Sequence, residues 1–421
     1  MVPYAGYEMP VQYDMGVMKE NLHTRTKAGL FYVSHMVQVR LSGPSWDVVA
    51  LAFEALVPMD VLGLKDGRQR YGFFTNDAGG IEDDLMFARR GDDLMIVVNA
   101  ACKEADLALM RSGLPDEIEV TELEDRALIA LQGPVAGAVV ETLDPEASDM
   151  RFMDVRDLTL AGHAVWASRS GYTGEDGFEI SVAADEAMPL ARRLFNDAEV
   201  SAIGLGARDS LRLEAGLCLY GQDITATTDP VSAGLTWAIQ KSRRSGGARA
   251  GGFPGDEIVF QALEAGPASR RVGLRPLGRA PMRAGVALYG AEDSAEVLGE
   301  VTSGGFGPSV EAPVAMGYVD AASAAPGTAL WGEVRGKRHA VEVAPLPDYV
   351  QEFLSSVTPH VTEPQEEVER ATAALERGRE VLRANRGPRS GKTLARKSFQ
   401  TGLEDANLVG NIYFANYASW Q

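Results

Sequence analysis

An α+β fold over residues 1–260, followed by a small all-β domain at 261–350, is predicted for this chain by three observations. Short helical and strand-like patterns alternate up to about residue 260 without the strand–helix–strand period of a parallel sheet. Past Phe253-Pro254-Gly255 the texture changes to short apolar runs cut by Gly and Pro turns, as in a barrel or sandwich. The 421 residues, 45% of them hydrophobic, supply enough apolar surface for two or three cored domains.

The opening is turn-rich and aromatic around Ala5-Gly6-Tyr7-Glu8-Met9-Pro10. A helical pattern runs from 17 to about 28, with Val17, Met18, Leu22 and Ala28 as its apolar positions and Gly29 as its stop. Residues 30–36 read as a strand that continues with alternation through 37–41. His35 in that strand has no nucleophile beside it and reads as a hydrogen-bonded core histidine. Helices are predicted at 46–56, 101–114 and 136–143, and strands within 63–76 and 125–132.

The stretch 75–87 carries the first chemistry. Asn76, Asp77, Gly79 and Gly80 are turn formers that feed the apolar run Leu85-Met86-Phe87, and a second run at 94–98 ends in Asn99. Asp83 and Asp84 therefore stand where a loop enters a buried strand. Successive strand residues point to opposite faces, so only one of the two can look into a cleft. A carboxylate held there can meet a developing positive charge or take a proton; otherwise both are solvated aspartates after a turn.

Gly171, Gly174 and Gly177 make a tight loop before Phe178-Glu179-Ile180. Strand alternation sets Glu179 on the face opposite its apolar neighbours. There it is either a surface glutamate or an acceptor for paired N–H donors, such as a 2-amino-4-oxo pyrimidine edge. Residues 204–216 open a helix without a GxGxxG fingerprint. Arg208 near that helix start opposes the macrodipole, which points either to a specific task or to an ion pair with Asp209 or Glu214.

The net charge of −19 argues against a nucleic-acid partner. No apolar run reaches membrane-spanning length and no signal peptide is recognisable. Cys102 and Cys218 lack CxxC or metal-ligand spacing, so a cytoplasmic protein without disulfides is expected. Lys241-Ser242-Arg243-Arg244 and the Gly/Ala-rich loop after it read as a solvated loop, or as a local positive patch for an acidic partner.

Six stretches occur in order: Met1 to Pro10, Val33-Ser34-His35-Met36, Asn76 to Leu85, Gly171 to Glu179, Gly204 to Asp209 with Leu213 to Gly216, and Gly299 to Gly304. Together they resemble the aminomethyltransferase (glycine cleavage T-protein) family over residues 1 to about 350. The resemblance implies a three-lobed fold, with two intertwined α+β lobes around a central folate hole and a C-terminal β-barrel. It implies tetrahydrofolate as one-carbon acceptor, a lipoylated H-protein as transient partner and donor, and no metal. On this resemblance Asp84 takes the place of the catalytic aspartate and Glu179 that of the glutamate gripping the pterin. Met36, Tyr71, Val97, Asn99, Tyr172 and Arg208 fall on folate-contacting positions, and Tyr349 matches a contact to the folate tail. Tyr32, Val37 and Ala88 replace the family's usual Asp, Gly and Tyr and leave the one-carbon donor open. A related folate-dependent demethylase and a non-catalytic folate-binding helper of iron–sulfur assembly are the alternatives. The helper's cysteine aligns with Cys218, but its lysine has no counterpart here.

The tail reads as a helical linker at 351–398, with its helix at 366–384, and a segment at 399–421 that resembles the opening of hotdog-fold acyl thioesterases. That segment is too short to form the fold. Residues 387–393 imitate a P-loop but are one residue short between the glycines and follow a helix, so no phosphate site is assigned.

Overall fold

A computed structural model of the chain describes residues 1–346. Tyr349, the 366–384 helix, the 387–393 look-alike and the 399–421 segment lie outside the described residues.

The predicted α+β class with a C-terminal barrel is what the chain forms. A five-stranded sheet runs in the order Gln69–Thr75, Ile81–Arg90, Asp93–Val98, Val37–Ser42, Glu119–Glu122. A six-stranded sheet runs in the order Val155–Leu160, His163–Ser168, Gly177–Ala183, Arg126–Gln132, Ala28–Tyr32, Val200–Ile203. The two are interleaved in sequence. Ala28–Tyr32 and Arg126–Gln132 pair antiparallel, with Phe31 opposite Ala130, and the whole five-stranded sheet is inserted between them. The third unit is a closed six-stranded barrel from Ser269–Pro276 to Lys337–Ala344.

Alternation along the six-stranded sheet feeds two cores. Leu30, Ile129, Leu131 and Ile180 pack with the helices Ala136–Leu143 and Ala187–Leu194. Phe31, Leu128 and Ala130 face the other way, toward Ala207 and Leu211 of helix Leu205–Glu214 and toward Met36 and Val97. That second face is the one on which the site is built.

The strand expected at 30–36 does not run through. It stops at Tyr32, turns, and restarts as Val37–Ser42 in the other sheet. The turn is fixed by Val33 N–H donating to Leu128 O, Met36 N–H to Val33 O and Ser34 Oγ to Leu128 O. The first helix spans Val17–Thr26, but its expected apolar face is outside: Met18 and Leu22 are exposed, while Glu20, Asn21 and Thr24 are buried. Partners decide this. Glu20 accepts the Gly204 N–H at 2.9 Å, Asn21 donates to Ser210 at 2.8 Å, and Arg25 pairs with Glu175 and Glu214 at 2.9 Å each. Buried polar groups that find these partners outweigh the weak apolar stripe, although Asn21 Oδ1 accepts no bond among the described residues.

The Lys241 loop is exposed at Lys241, Ser245, Gly246 and Ala248, as a solvated loop would be, but its arginines turn inward. Arg243 is 4% exposed and donates to Glu54 O at 2.6 Å and Arg249 O at 2.7 Å. Arg244 donates to the carbonyls of Ile239 and Thr236, and Arg249 pairs with Glu54 at 2.9 Å. Arg243 and Arg249 staple the loop onto the Glu54–Asp60 turn. The barrel is tied to the helix Leu205–Glu214 by Arg212, which meets Asp223 at 2.6 Å and Ser303 of the barrel at 2.9 Å. Thr302 of the barrel donates to the same aspartate.

Candidate active site

The turn before the Asp83 strand is built by Asn76. Its Oδ1 accepts the N–H groups of Ala78 and Gly80, and its Nδ2 donates to Glu82 and to Ala226 O. A Cβ at residue 80 would stand 1.9 Å from Ala226 O, so only glycine permits this approach. The strand then alternates as expected. Asp83, Leu85 and Phe87 are buried in the core face, while Glu82, Asp84 and Met86 are half-buried on the other. Asp84 is thus the carboxylate that faces inward toward the second sheet.

Its neighbours come from the register. Tyr71 lies opposite Met86, and Met86 opposite Val97, so Tyr71, Met86 and Val97 share a face with Asp84. Tyr71 Oη donates to Asp84 Oδ2 at 3.0 Å, and Asn99 Nδ2 donates to Asp84 Oδ1 at 2.7 Å. Burial and the adjacent Asp83 charge push Asp84 up to about 7, against the pull of these two donors. Trp237 stacks on Tyr71, with ring centroids 5.4 Å apart, and fixes the phenol.

The opposite wall is the six-stranded sheet. Glu179 sits across from Ala130, between the buried Phe178 and Ile180, and points to the site face. Burial raises its pKa, while Arg208 and a hydrogen bond from Ser170 favour the carboxylate. Glu179, Met86, Val97 and Ala88 line one hollow with Leu128 and Trp166, so the cavity lies between the two sheets. Arg208 does not pair with Asp209 or Glu214. Asp209 is held by Arg212, and Glu214 by Arg25. The Arg208 guanidinium instead lies 4.8 Å over the Tyr172 ring and acts on Glu179 and His35. Tyr172 Oη donates to Cys218 O, and its ring feels both Asp84 and Arg208.

Of the residues singled out, Val97 and Glu179 line this hollow; these two and Met36, Tyr71, Asp84, Asn99, Tyr172 and Arg208 are all half-buried. Met36 packs with Val97 and Phe31 below it. Ala88, one of the departures from the family pattern, also lines the Glu179 hollow. His35 is 3% exposed, in the core as expected, but its Nδ1 is buried without the expected hydrogen-bond partner among the described residues; burial and Arg208 push its pKa down to about 4.

Against known proteins, a family model described as the GCVT N-terminal domain matches residues 1–243, and one described as the glycine cleavage T-protein C-terminal barrel domain matches 270–349. The chain belongs to the glycine cleavage T-protein family. Curated T-protein relatives agree. The mitochondrial aminomethyltransferase of Flaveria trinervia is 42% identical over 82% of this chain and 85% of its own length. That of Gallus gallus is 42% identical over 82% and 88%, and that of Dictyostelium discoideum 40% identical over 82% and 88%. The crystal structure of the glycine cleavage system aminomethyltransferase T from Bartonella henselae superposes with a TM-score of 0.75 at 42% identity, covering 82% of this chain and 93% of that one.

Within this T-protein fold, two contributors were not found from sequence. Trp237 arrives from a loop about 165 residues beyond its partner Tyr71. Ser170 is unremarkable in its loop until it meets Glu179. Cys218 is buried, and burial pushes its thiol up to about 12, which makes it an inert core group.

Proposed function

We propose that this chain is a tetrahydrofolate-dependent aminomethyltransferase of glycine cleavage, taking the aminomethyl group from the lipoyl arm of a partner H-protein and releasing ammonia. The observation that carries the reading is Asp84, held by Tyr71 and Asn99 on the strand face whose Met86 and Ala88 line a hollow with Glu179. The recess suits a reduced pterin: an acidic side chain for its paired N–H edge, the apolar side chains of Met86 and Val97 for its faces, and Arg208, which makes no ion pair among the described residues, for an anionic group. Bound tetrahydrofolate supplies the nucleophilic nitrogens that accept the one-carbon unit and leaves as 5,10-methylenetetrahydrofolate.

The protein's own work is electrostatic. Asp84 presents a preorganised carboxylate to the positive charge that develops at carbon as the amine departs, and its pKa near neutrality fits it to pass a proton. Tyr71 and Asn99 keep both of its oxygens oriented. Glu179 and Ser170 anchor the pterin edge, and Tyr172 and Arg208 close one side. A cytoplasmic setting, in keeping with two free cysteines, belongs to the same proposal. The inert Cys218 gives the iron–sulfur helper nothing to work with.

The test is purified enzyme with tetrahydrofolate and aminomethylated H-protein, with ammonia and methylenetetrahydrofolate measured. Both should form, and Asp84→Asn should lower turnover by about 100-fold or more while tetrahydrofolate still binds. Methyl transfer from methoxy-aromatics, dimethylglycine or sulfonium compounds, with none from the H-protein, would replace this reading by the demethylase one.

A further inference from the structure

The hollow beside Glu179 contains a large aromatic side chain with no partner in the described fold. Trp166 lies on the strand His163–Ser168, whose Val165 and Ala167 are packed into the core with Phe178 and Ile180. Alternation turns Trp166 and Ser168 to the opposite face, the one on which Glu179 stands. The register fixes their company. Ser168 is directly across from Glu179, and Trp166 is directly across from Ser181. All four line the hollow. Opposed residues on one sheet face have Cβ atoms about 5 Å apart and diagonal ones about 7 Å, within reach of an indole. Trp166 is therefore the aromatic neighbour of the carboxylate. On the other side of Glu179 the strand Arg126–Gln132 brings Ala130 and Leu128, which carry no ring.

Packing in the described fold does not use up this indole. Trp46 shows what a packing tryptophan does here: it is 4% exposed, donates its Nε1–H to Leu62 O at 3.3 Å and has the Arg89 guanidinium 4.4 Å over its ring. Trp237 is stacked on Tyr71. Trp166 is half-buried, and among the described residues its side chain makes no hydrogen bond and no ring contact. It rests only against the small cluster of Ala88, Met95 and Val155.

The facing side of the hollow comes from the five-stranded sheet and is apolar. Met86 and Ala88 follow Asp84 along one strand face, and Val97 lies across from Met86. A flat ring seated here has aliphatic and thioether side chains on one face, the indole on the other, and an acidic acceptor at its edge. We propose that Trp166 is a cofactor-contacting residue, its indole forming the second face of a slot for the planar pyrimidine half of the pterin while Glu179 takes the N–H edge. The inference rests on the tetrahydrofolate reading and adds to it the residue that grips the ring by stacking.

The test is to titrate tetrahydrofolate into the ¹⁵N-labelled full-length protein and follow the indole N–H signals of its five tryptophans. Trp166→Phe, which has no indole, assigns the Trp166 signal. That signal should shift more than those of Trp46 in the core and Trp331 in the barrel. 6-Methyltetrahydropterin, the ring without the tail, should move it in the same direction. By calorimetry Trp166→Phe should keep the Kd for tetrahydrofolate within about 5-fold, because a phenyl ring still stacks, and Trp166→Leu should weaken it by about 5- to 100-fold. The indole titration of the parent protein decides the matter even where Trp166→Leu does not fold. A Trp166 signal that stays in place while tetrahydrofolate binds, or an unchanged Kd in Trp166→Leu, overturns the proposal and leaves the tetrahydrofolate reading intact. A parent that binds neither tetrahydrofolate nor 6-methyltetrahydropterin overturns both. The expected shifts in an enzyme inert toward aminomethylated H-protein support the Trp166 contact while removing the aminomethyltransferase reading.

Discussion

Replacing Glu179 by alanine tests the recognition half of the site. In the folded chain its carboxylate is flanked by Ser170 and Arg208, with Phe178 and Ile180 fully buried on either side. A pterin edge presenting two N–H groups would make two charge-assisted bonds to it, each worth about 1.5–3 kcal/mol net. Alanine loses both, but it also abolishes the cost of keeping a carboxylate in a site whose burial raises its pKa. These opposed effects leave a loss of about 1.5–3 kcal/mol, or roughly 10- to 150-fold in Kd. Glu179→Gln keeps the shape and one acceptor oxygen, and should fall near the lower bound. Calorimetric titration of the reduced cofactor into purified protein reads the effect directly, with Asp84→Asn as a control whose affinity should stay near the parent's. Because protonation removes the acceptor and the Glu179 pKa is raised, affinity should also decline on acidification earlier than an ordinary glutamate would dictate. Binding by Glu179→Ala as tight as the parent's would refute the reasoning.

Two further outcomes are expected. If Asp84 works as a carboxylate with a pKa of about 7, kcat/KM should rise with pH through neutrality, reaching at pH 6 only about a tenth of its plateau. A profile flat from pH 5.5 to 8 would show that Asp84 ionisation does not limit the reaction. Arg212→Leu should destabilise the fold by about 3–5 kcal/mol in chemical denaturation, because the fully buried Asp223 loses its cation. A loss below about 1 kcal/mol would mean that Ser303, Thr302 and the Leu219 N–H satisfy that carboxylate alone.

The alternation arguments transferred well because they depend only on near neighbours. Glu179 between Phe178 and Ile180, and Asp84 opposite in face to Asp83, both follow from the two-residue period of a strand. The barrel was equally readable from its Gly-spaced apolar runs. What failed depends on partners far away in sequence. The helix Val17–Thr26 turns its polar side inward because Ser210 and Glu214, about 190 residues later, supply partners for Asn21 and Arg25. Arg243 in the basic run at 241–244 is buried because Glu54 and nearby carbonyls receive it. The break at residues 33–36 is set by Leu128 O, which no local pattern announces. For the same reason the task of Arg208 was visible as an anomaly, but its seat above Tyr172 was not.

The insertion of one sheet between two paired strands of the other has a consequence for how the chain is born. Residues 28–32 must wait for partners about a hundred residues downstream, and closing a loop of that length costs roughly 4 kcal/mol of entropy before any ladder bond repays it. Emerging from the ribosome, the strands between residues 37 and 122 find their sheet neighbours within that span, while Leu30 and Phe31 sit on a strand with both hydrogen-bonding edges open. A nascent chain stalled near residue 122 would therefore be sticky at that strand and a natural client for a chaperone, and the hazard ends only when 126–132 arrives on one side and 200–203 on the other.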